Sequence, residues 1–208
     1  MNVYLIADTH FNHANIATYC DRPADFTDIL IRNWQNTVRA EDLIIHLGDV
    51  FIGRAEGWSE IYPKLPGRKI LIRGNHDRQR SLTWWMKNGF DASVDSMIFR
   101  KTVWLTHEPA KSLPDGCTIN IHGHLHNIWH GFAPDGPSAL KIYKLNNAWQ
   151  RLFSVEYTNY MPVEFGKFLA NPDRYQARGP KTVPHSGTSI SGDDTSGQSD
   201  APQGTSLS

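Results

Sequence analysis

The chain has 208 residues, with 21 basic side chains balanced by 21 acidic ones and only two cysteines, Cys20 and Cys117. That length suits one domain with a substantial core, and zero net charge excludes a global field drawing the whole surface to nucleic acid or lipid. Two distant cysteines outside any Cys-x-x-Cys pattern exclude a disulfide framework or a zinc ribbon and suit a reducing compartment.

The opening MNVYLIADTHFNH lacks the basic segment and long apolar run of a signal peptide. No later stretch reaches the ~18 apolar residues of a bilayer span, so the expectation is a cytoplasmic chain without a membrane partner. The first apolar run, VYLIAD at 3–8, is short, β-branched and abruptly ended, which predicts a buried strand. Residues 25–38 follow with Ile29, Leu30, Asn33, Trp34 and Val38 spaced as one helical stripe. Further strands are predicted for LIIHLGD at 43–49 and KILIRGN at 69–75. A helix over 81–88 is started by a Ser81 cap and stopped by Gly89. VWLTH at 103–107, TINIHGH at 118–124 and RLFSVEY at 151–157 predict three more strands, and 164–170 a short closing helix. Strands alternating with helices imply an α/β layered domain. From 179 to 208 the chain is dominated by Gly, Pro, Ser and Thr, with almost nothing apolar except Val183, Ile190 and Leu207, too little to offset chain entropy. The expected division is therefore a folded domain over 1–178 and a disordered tail over 179–208.

Each of the first five predicted strands ends in His, Asp or Asn where the chain leaves the sheet, and strand ends are where ligand sites of α/β sheets assemble. The first delivers Asp8 and His10, the second Gly48 and Asp49, and the third Gly74, Asn75, His76 and Asp77. The fourth delivers His107, and the fifth Gly123, His124 and His126. Taken singly these are weak: Asp8 with His10 reads as an ordinary polar turn, Gly48 with Asp49 likewise, and His107 as a satisfied half-buried histidine. Only GNHD at 74–77 and GHLH at 123–126 are distinctive alone, and the joint occurrence in one order carries the reading.

That ordered set resembles the calcineurin-like metallophosphoesterase superfamily, whose signature runs Asp-x-His, Gly-Asp, Gly-Asn-His-Asp or Glu, His, then Gly-His-x-His. The resemblance covers roughly residues 1–165 and implies a layered α/β/β/α sandwich with mixed sheets and a metal site at the strand ends. It implies two divalent cations, one on Asp8, His10 and His126, the other on Asn75, His107 and His124, with Asp49 bridging them. With four imidazoles in the set, Mn²⁺, Fe, Zn²⁺, Co²⁺ or Ni²⁺ fit better than Mg²⁺, and Mn²⁺ is the expected assay metal. The implied reaction is phosphoester hydrolysis by a hydroxide shared between the cations, with His76 protonating the leaving oxygen and Asp77 orienting His76.

Arg73, Arg22 and His13 lie beside motif segments and are candidate phosphate contacts, although both arginines also read as ordinary ion-pair residues. His46, His122 and His130 fall outside the signature and read as structural or as supports for ligands. Trp84 and Trp85 read as core. The pattern is nearer phosphodiesterase and nuclease branches than protein phosphatases, and little chain separates Asp77 from His107 for a DNA-binding cap. The expected substrate is thus a small phosphodiester or nucleotide, without a stable nucleic-acid complex. Phosphomonoesterase, nuclease and non-catalytic scaffold are the alternatives, and oligomeric state is not readable.

Overall fold

The computed structural model describes residues 1–127 and 148–175. Two mixed sheets organise them. The first contains β1 (Val3–Ile6), β2 (Leu43–His46), β3 (Arg68–Ile72), β4 (Ala92–Val94) and β9 (Val163–Glu164), in the order β4-β3-β2-β1-β9. All neighbours are parallel except β9, which runs antiparallel to β1. The second contains β5 (Ser96–Phe99), β6 (Val103–Thr106), β7 (Ile119–His122) and β8 (Gln150–Leu152), in that order, with β5 antiparallel to β6 and the rest parallel. One continuous core joins the sheets: Leu5, Ile45 and Leu71 from the first belong to the same buried cluster as Leu105, Ile121 and Phe153 from the second. This is the α/β fold with mixed sheets that the resemblance implied.

Parallel strands buried on both faces read as unbroken apolar runs, and LIIH of β2 is buried at three of its four positions. Registers align the strand ends: Ile6 of β1 lies opposite His46 of β2, so the loops carrying Asp8 and Asp49 leave the sheet side by side. Each of the first five predicted strands stops two or three residues early or, in β6, one early, because the trailing polar residues belong to the loops that build the site.

Six helices cover the described residues: α1 (Ala14–Tyr19), α2 (Phe26–Thr37), α3 (Ala55–Ile61), α4 (Leu82–Lys87), α5 (Phe165–Ala170) and α6 (Pro172–Tyr175). α2 forms as predicted and buries Phe26, Leu30 and Trp34, four residues apart along one face. The polar member of its stripe, Asn33, donates to the carbonyls of Asn159 and Tyr160. α4 starts on the predicted cap, where Ser81 Oγ accepts from the Trp84 amide, and stops before Gly89 at φ +104°.

The segment 151–157 departs from expectation. Pairing ends at Leu152, and Val155–Tyr157 forms a 3₁₀ turn instead of strand. The turn places the Glu156 carboxylate against the Ser154 hydroxyl and the Arg22 guanidinium, contacts a continuing strand could not reach. α1, α3, β4 and β5 were not expected; each is short, and α1 buries only Ile16. The boundary at 178, the tail and His130 lie outside the described residues.

Trp58 of α3 sits at the centre of an aromatic cluster with Phe11, Phe51, Tyr62, Trp85 and Phe90, and its indole N–H donates to the Asn88 carbonyl at 2.8 Å. Trp58→Ala removes the central indole of this cluster and orphans that carbonyl. We expect it to lower unfolding free energy by about 3–5 kcal/mol, read from a shifted urea midpoint; a loss under about 1 kcal/mol would show that the cluster is not cooperative with the core.

Candidate metal centre

The site is assembled from loops in a conformation that L residues avoid. Asp8, His10, Asp49, His124 and His126 all have left-handed backbones, with φ of +53°, +46°, +56°, +73° and +47°. Such positions are costly for non-glycine residues and persist only where surroundings enforce them. The enforcing contacts are main-chain and carboxylate hydrogen bonds. The amides of Asp8 and His10 donate to the carbonyls of Gly48 and Asp49, which locks the first two loops together, and the Gly123 amide donates to the His107 carbonyl. The buried Asp77 carboxylate accepts from the amides of Asp49, Val50 and Gly74 at 2.7, 2.9 and 2.8 Å.

Glycine is required where these loops touch. A Cβ on Gly74 would stand 2.0 Å from Asp49 Oδ1, and one on Gly123 would stand 2.3 Å from Asp8 Oδ2. One on Gly48 would meet His107 Nδ1 at 2.5 Å. The glycines of the three motifs thus admit the carboxylates and imidazole to the backbone of the next loop.

Four clusters of ligand-type atoms, each within 4.8 Å, result among the described residues: Asp8, His10 and His126; Asp49, His107 and His124; His10, Asp49 and His76; and Cys20, His126 and Glu156; the first two match the expected ligand sets. Asn75 completes the second, its Oδ1 lying 2.9 Å from His107 Nε2 and 3.1 Å from His124 Nδ1. Those two imidazole nitrogens are themselves 3.1 Å apart. Asp49 stands between the clusters, with Oδ2 at 3.3 Å from His107 Nε2 and 3.6 Å from His10 Nε2. The Asp8 carboxylate receives the His124 amide on both oxygens and faces His126 Nε2 at 3.8 Å.

These residues fit divalent cations. His10 Nε2 is buried without any hydrogen-bond partner, and His107 Nε2, His124 Nδ1 and Asn75 Oδ1 converge on one point. His107 Nδ1 lies 2.8 Å from the Leu47 carbonyl, which fixes Nδ1 as an N–H and leaves Nε2, facing Asp49, as the atom a cation would take in place of a proton. The mixed carboxylate, amide and imidazole set suits first-row transition ions.

Without cations, protons balance the charge. Burial pulls the His107 imidazole down, but the hydrogen bond and charge of Asp49 outweigh it and push it up to about 9. The same pairing, against burial, holds Asp49 well below the usual carboxylate range. His126 is likewise pulled down by burial yet raised well above its ordinary value by Glu156 and Asp8. Burial and then the His107 charge bring His124 down to about 4, while burial raises Asp8 to about 6.

The remaining expected residues divide clearly. His76 lies at the mouth, its side chain 38% exposed, with Nε2 4.0 Å from Asp49 Oδ2 and its amide on Asp49 Oδ1. His13 is partly exposed beside it, with Nδ1 3.3 Å from His10 Nδ1. Asp77 does not orient His76: both its oxygens hold the amides named above, so its role is to brace the Gly48–Asp49 loop. Arg22 is buried and directed onto Glu156 and the carbonyls of Asp8 and Thr9. Arg73 is engaged with Asp95 and the Arg80 carbonyl. Both arginines thus form the ion pairs of their plainer reading. His46, between Thr9 Oγ1 and the Gly48 amide, and His122, beside the Gly123 carbonyl, are fully buried and support the loops. Trp85 is core and Trp84 partly so. Glu156 was missed, although a single acid within the apolar run LFSV-E-Y marks a buried charge in need of a partner.

A family model described as calcineurin-like phosphoesterase matches residues 1–196. Over 174 residues the chain is 36% identical to the uncharacterized protein MJ1445 of Methanocaldococcus jannaschii, covering 77% of this chain and 85% of that protein. It is 39% identical over 84 residues to the Gene 66 protein of Mycobacterium phage D29, covering 37% of this chain and 41% of that protein. Among solved structures, the protein of unknown function AQ665 from Aquifex aeolicus superposes with a TM-score of 0.60 at 28% identity, over 81% of this chain and 98% of that chain.

The proton inventory yields a test. Ligation requires His107 and His126 to give up protons that Asp49, Asp8 and Glu156 otherwise retain, so metal uptake releases protons. The apparent Mn²⁺ affinity should therefore rise with pH until His107 deprotonates at about 9, by roughly tenfold per pH unit for each proton displaced. Calorimetric titrations in buffers of different ionisation enthalpy measure the release directly; uptake with no proton release contradicts this charge assignment.

Proposed function

The chain belongs to the calcineurin-like phosphoesterase family, and from that premise we propose that it hydrolyses small phosphodiesters, nucleotides among them, with two divalent cations. One observation carries the reading: the Asp49 carboxylate lies between two ligand clusters, within reach of His10 on one side and His107 on the other. A carboxylate is the group able to join two such sites, since it offers two anionic oxygens. In this reading Asp8, His10 and His126 hold one ion, Asn75, His107 and His124 the other, and Asp49 both.

Bound there, two cations supply an activated water and neutralise phosphoryl charge. The protein's own part is positioning and proton transfer. The loops are rigid before substrate arrives, because Asp77 and the interlocked amides hold them, so little reorganisation is needed on binding. His76 stands at the mouth beside Asp49, where its imidazole can reach a leaving oxygen and return the proton that departure requires. His13, alongside His76, is placed to donate to a phosphoryl oxygen.

A small substrate is favoured because the chain between Asp77 and His107 is consumed by α4, β4, β5 and β6. That stretch leaves no accessory domain to grip a polymer, and neutral net charge gives no general pull on one.

With Mn²⁺ loaded, bis-p-nitrophenyl phosphate should be cleaved faster than p-nitrophenyl phosphate. The reverse order would reassign the protein as a monoesterase, and no cleavage of either, with metal bound, would favour a non-catalytic role. His76→Gln should spare metal content and lower kcat by about 10²- to 10⁴-fold on esters with poor leaving groups. The loss should shrink for p-nitrophenolate, which leaves without a proton; equal loss on both would remove His76 from proton donation.

A further inference from the structure

Glu156 is a buried acid placed against one imidazole of the site by a turn that ends the second sheet. Its Oε1 lies 3.2 Å from His126 Nδ1, 2.6 Å from Arg22 Nη2 and 2.9 Å from Arg22 Nε, while Oε2 accepts from the Ser154 hydroxyl. Arg22 also donates from Nη2 to the Asp8 carbonyl at 2.7 Å and from Nη1 to the Thr9 carbonyl at 3.0 Å. One guanidinium therefore ties Glu156 to the main chain of the loop that carries Asp8 and His10.

The hydrogen inventory settles which way His126 is held. Arg22 Nη2 stands 3.3 Å from His126 Nδ1 and would donate to it if it could. Its two hydrogens are already given, at shorter range, to the Asp8 carbonyl and to Glu156. The Glu156 carboxylate can only accept, so an unprotonated Nδ1 would set a lone pair against it. The thiol of Cys20 is also near, within 4.8 Å of both groups, but it is a weak donor beside a carboxylate. Nδ1 therefore carries a hydrogen directed at Glu156, and Nε2, 3.8 Å from Asp8 Oδ1, is the nitrogen left to bind a cation once its own proton is released.

We propose that Glu156, held by Arg22, is the positioning residue of the cation site formed by Asp8, His10 and His126. The inference rests on the two-cation reading above and adds an asymmetry to it. In the neighbouring site His107 is oriented by the Leu47 carbonyl, a backbone group untouched by substitution at 22 or 156. Loss of Glu156 should empty one site and leave the other.

The test compares metal binding with activity as a secondary readout. Wild-type protein, stripped and equilibrated with Mn²⁺, should bind two equivalents and give the spectrum of a coupled pair by electron paramagnetic resonance. The double variant Arg22→Met with Glu156→Leu exchanges the buried ion pair for apolar groups of similar bulk, a change folds often tolerate. It should weaken one equivalent by about 10- to 100-fold, lose the coupled spectrum and hold the second equivalent normally. Glu156→Gln keeps an acceptor for Nδ1–H and should retain both equivalents within about threefold. Two equivalents at wild-type affinity in the double variant, or equal weakening of both, overturns the proposal. If the double variant does not fold, the long-range imidazole proton–nitrogen spectrum of Zn²⁺-loaded wild type decides: His126 protonated at Nδ1 supports the assignment and at Nε2 refutes it. Wild-type protein that binds no divalent ion would instead overturn the two-cation reading itself, before any variant is compared.

Discussion

Asp49 sits where two sheets, three loops and both ligand clusters meet, and the site depends on its carboxylate being fixed there. It is buried, left-handed in its backbone and anionic, three conditions that each raise the free energy of an isolated residue. What offsets them is local: its amide is bound by Asp77, its Oδ1 receives the His76 amide, and its Oδ2 faces His10 and His107. Asp77 is itself buried and pushed up to about 6, by burial and then by the charge of Asp49, against the pull of its three amide donors. The carboxylate that braces the loop is thus strained by the one it braces. A cation beside Asp49 would relieve both.

The order of glycines and acids in the motifs follows from that crowding. Gly74 precedes Asn75 because its missing side chain leaves room for Asp49, and Gly123 precedes His124 because it leaves room for Asp8. Each motif therefore carries a ligand and clears space for a ligand of another motif. This interlocking explains why residues remote in sequence occur as a set: no single motif can hold its geometry without the next. It also explains why the strands end where they do, since the chain must leave the extended region to present Asp8, Asp49 and His124.

Much of this was legible in the sequence. Apolar runs located β1, β2, β3, β6 and β7, because parallel strands buried on both faces leave a continuous signature, and the polar residue closing each run located the site. α2 was legible through its stripe and α4 through Ser81 and Gly89. What escaped was short or tertiary in origin. α1 and α3 bury one and two side chains, too few for a period to show. The turn at Val155–Tyr157 arises from Ser154, Glu156 and Arg22 meeting across more than a hundred residues, and no local preference announces that. Arg22, Arg73 and Asp77 were placed near the site, and their side chains engage Glu156, Asp95 and the amides of the Asp49 loop, partners the sequence did not announce. Proximity in sequence to a motif is shared by groups that face the cleft and groups that hold its walls, and only the direction of the side chain separates them.

That last distinction bears on how the two sheets are joined. Asp8, His10, Asp49 and Asn75 come from loops of the first sheet, whereas His107, His124 and His126 come from loops of the second. In the proposed reading each cation is therefore a cross-link between sheets as well as a reactant's partner. Arg22 and Glu156 make the same crossing with protein groups alone, from the segment after α1 to the turn after β8, directly behind His126. The two walls are thus joined locally by the His124 amide on Asp8, by His107 on the Leu47 carbonyl and by this buried ion pair, and in the proposed reading by ions on the open side as well. A stripped protein keeps the buried link, so the ligand imidazoles stay near their places, and cations entering the cleft meet a site already shaped instead of one they must fold.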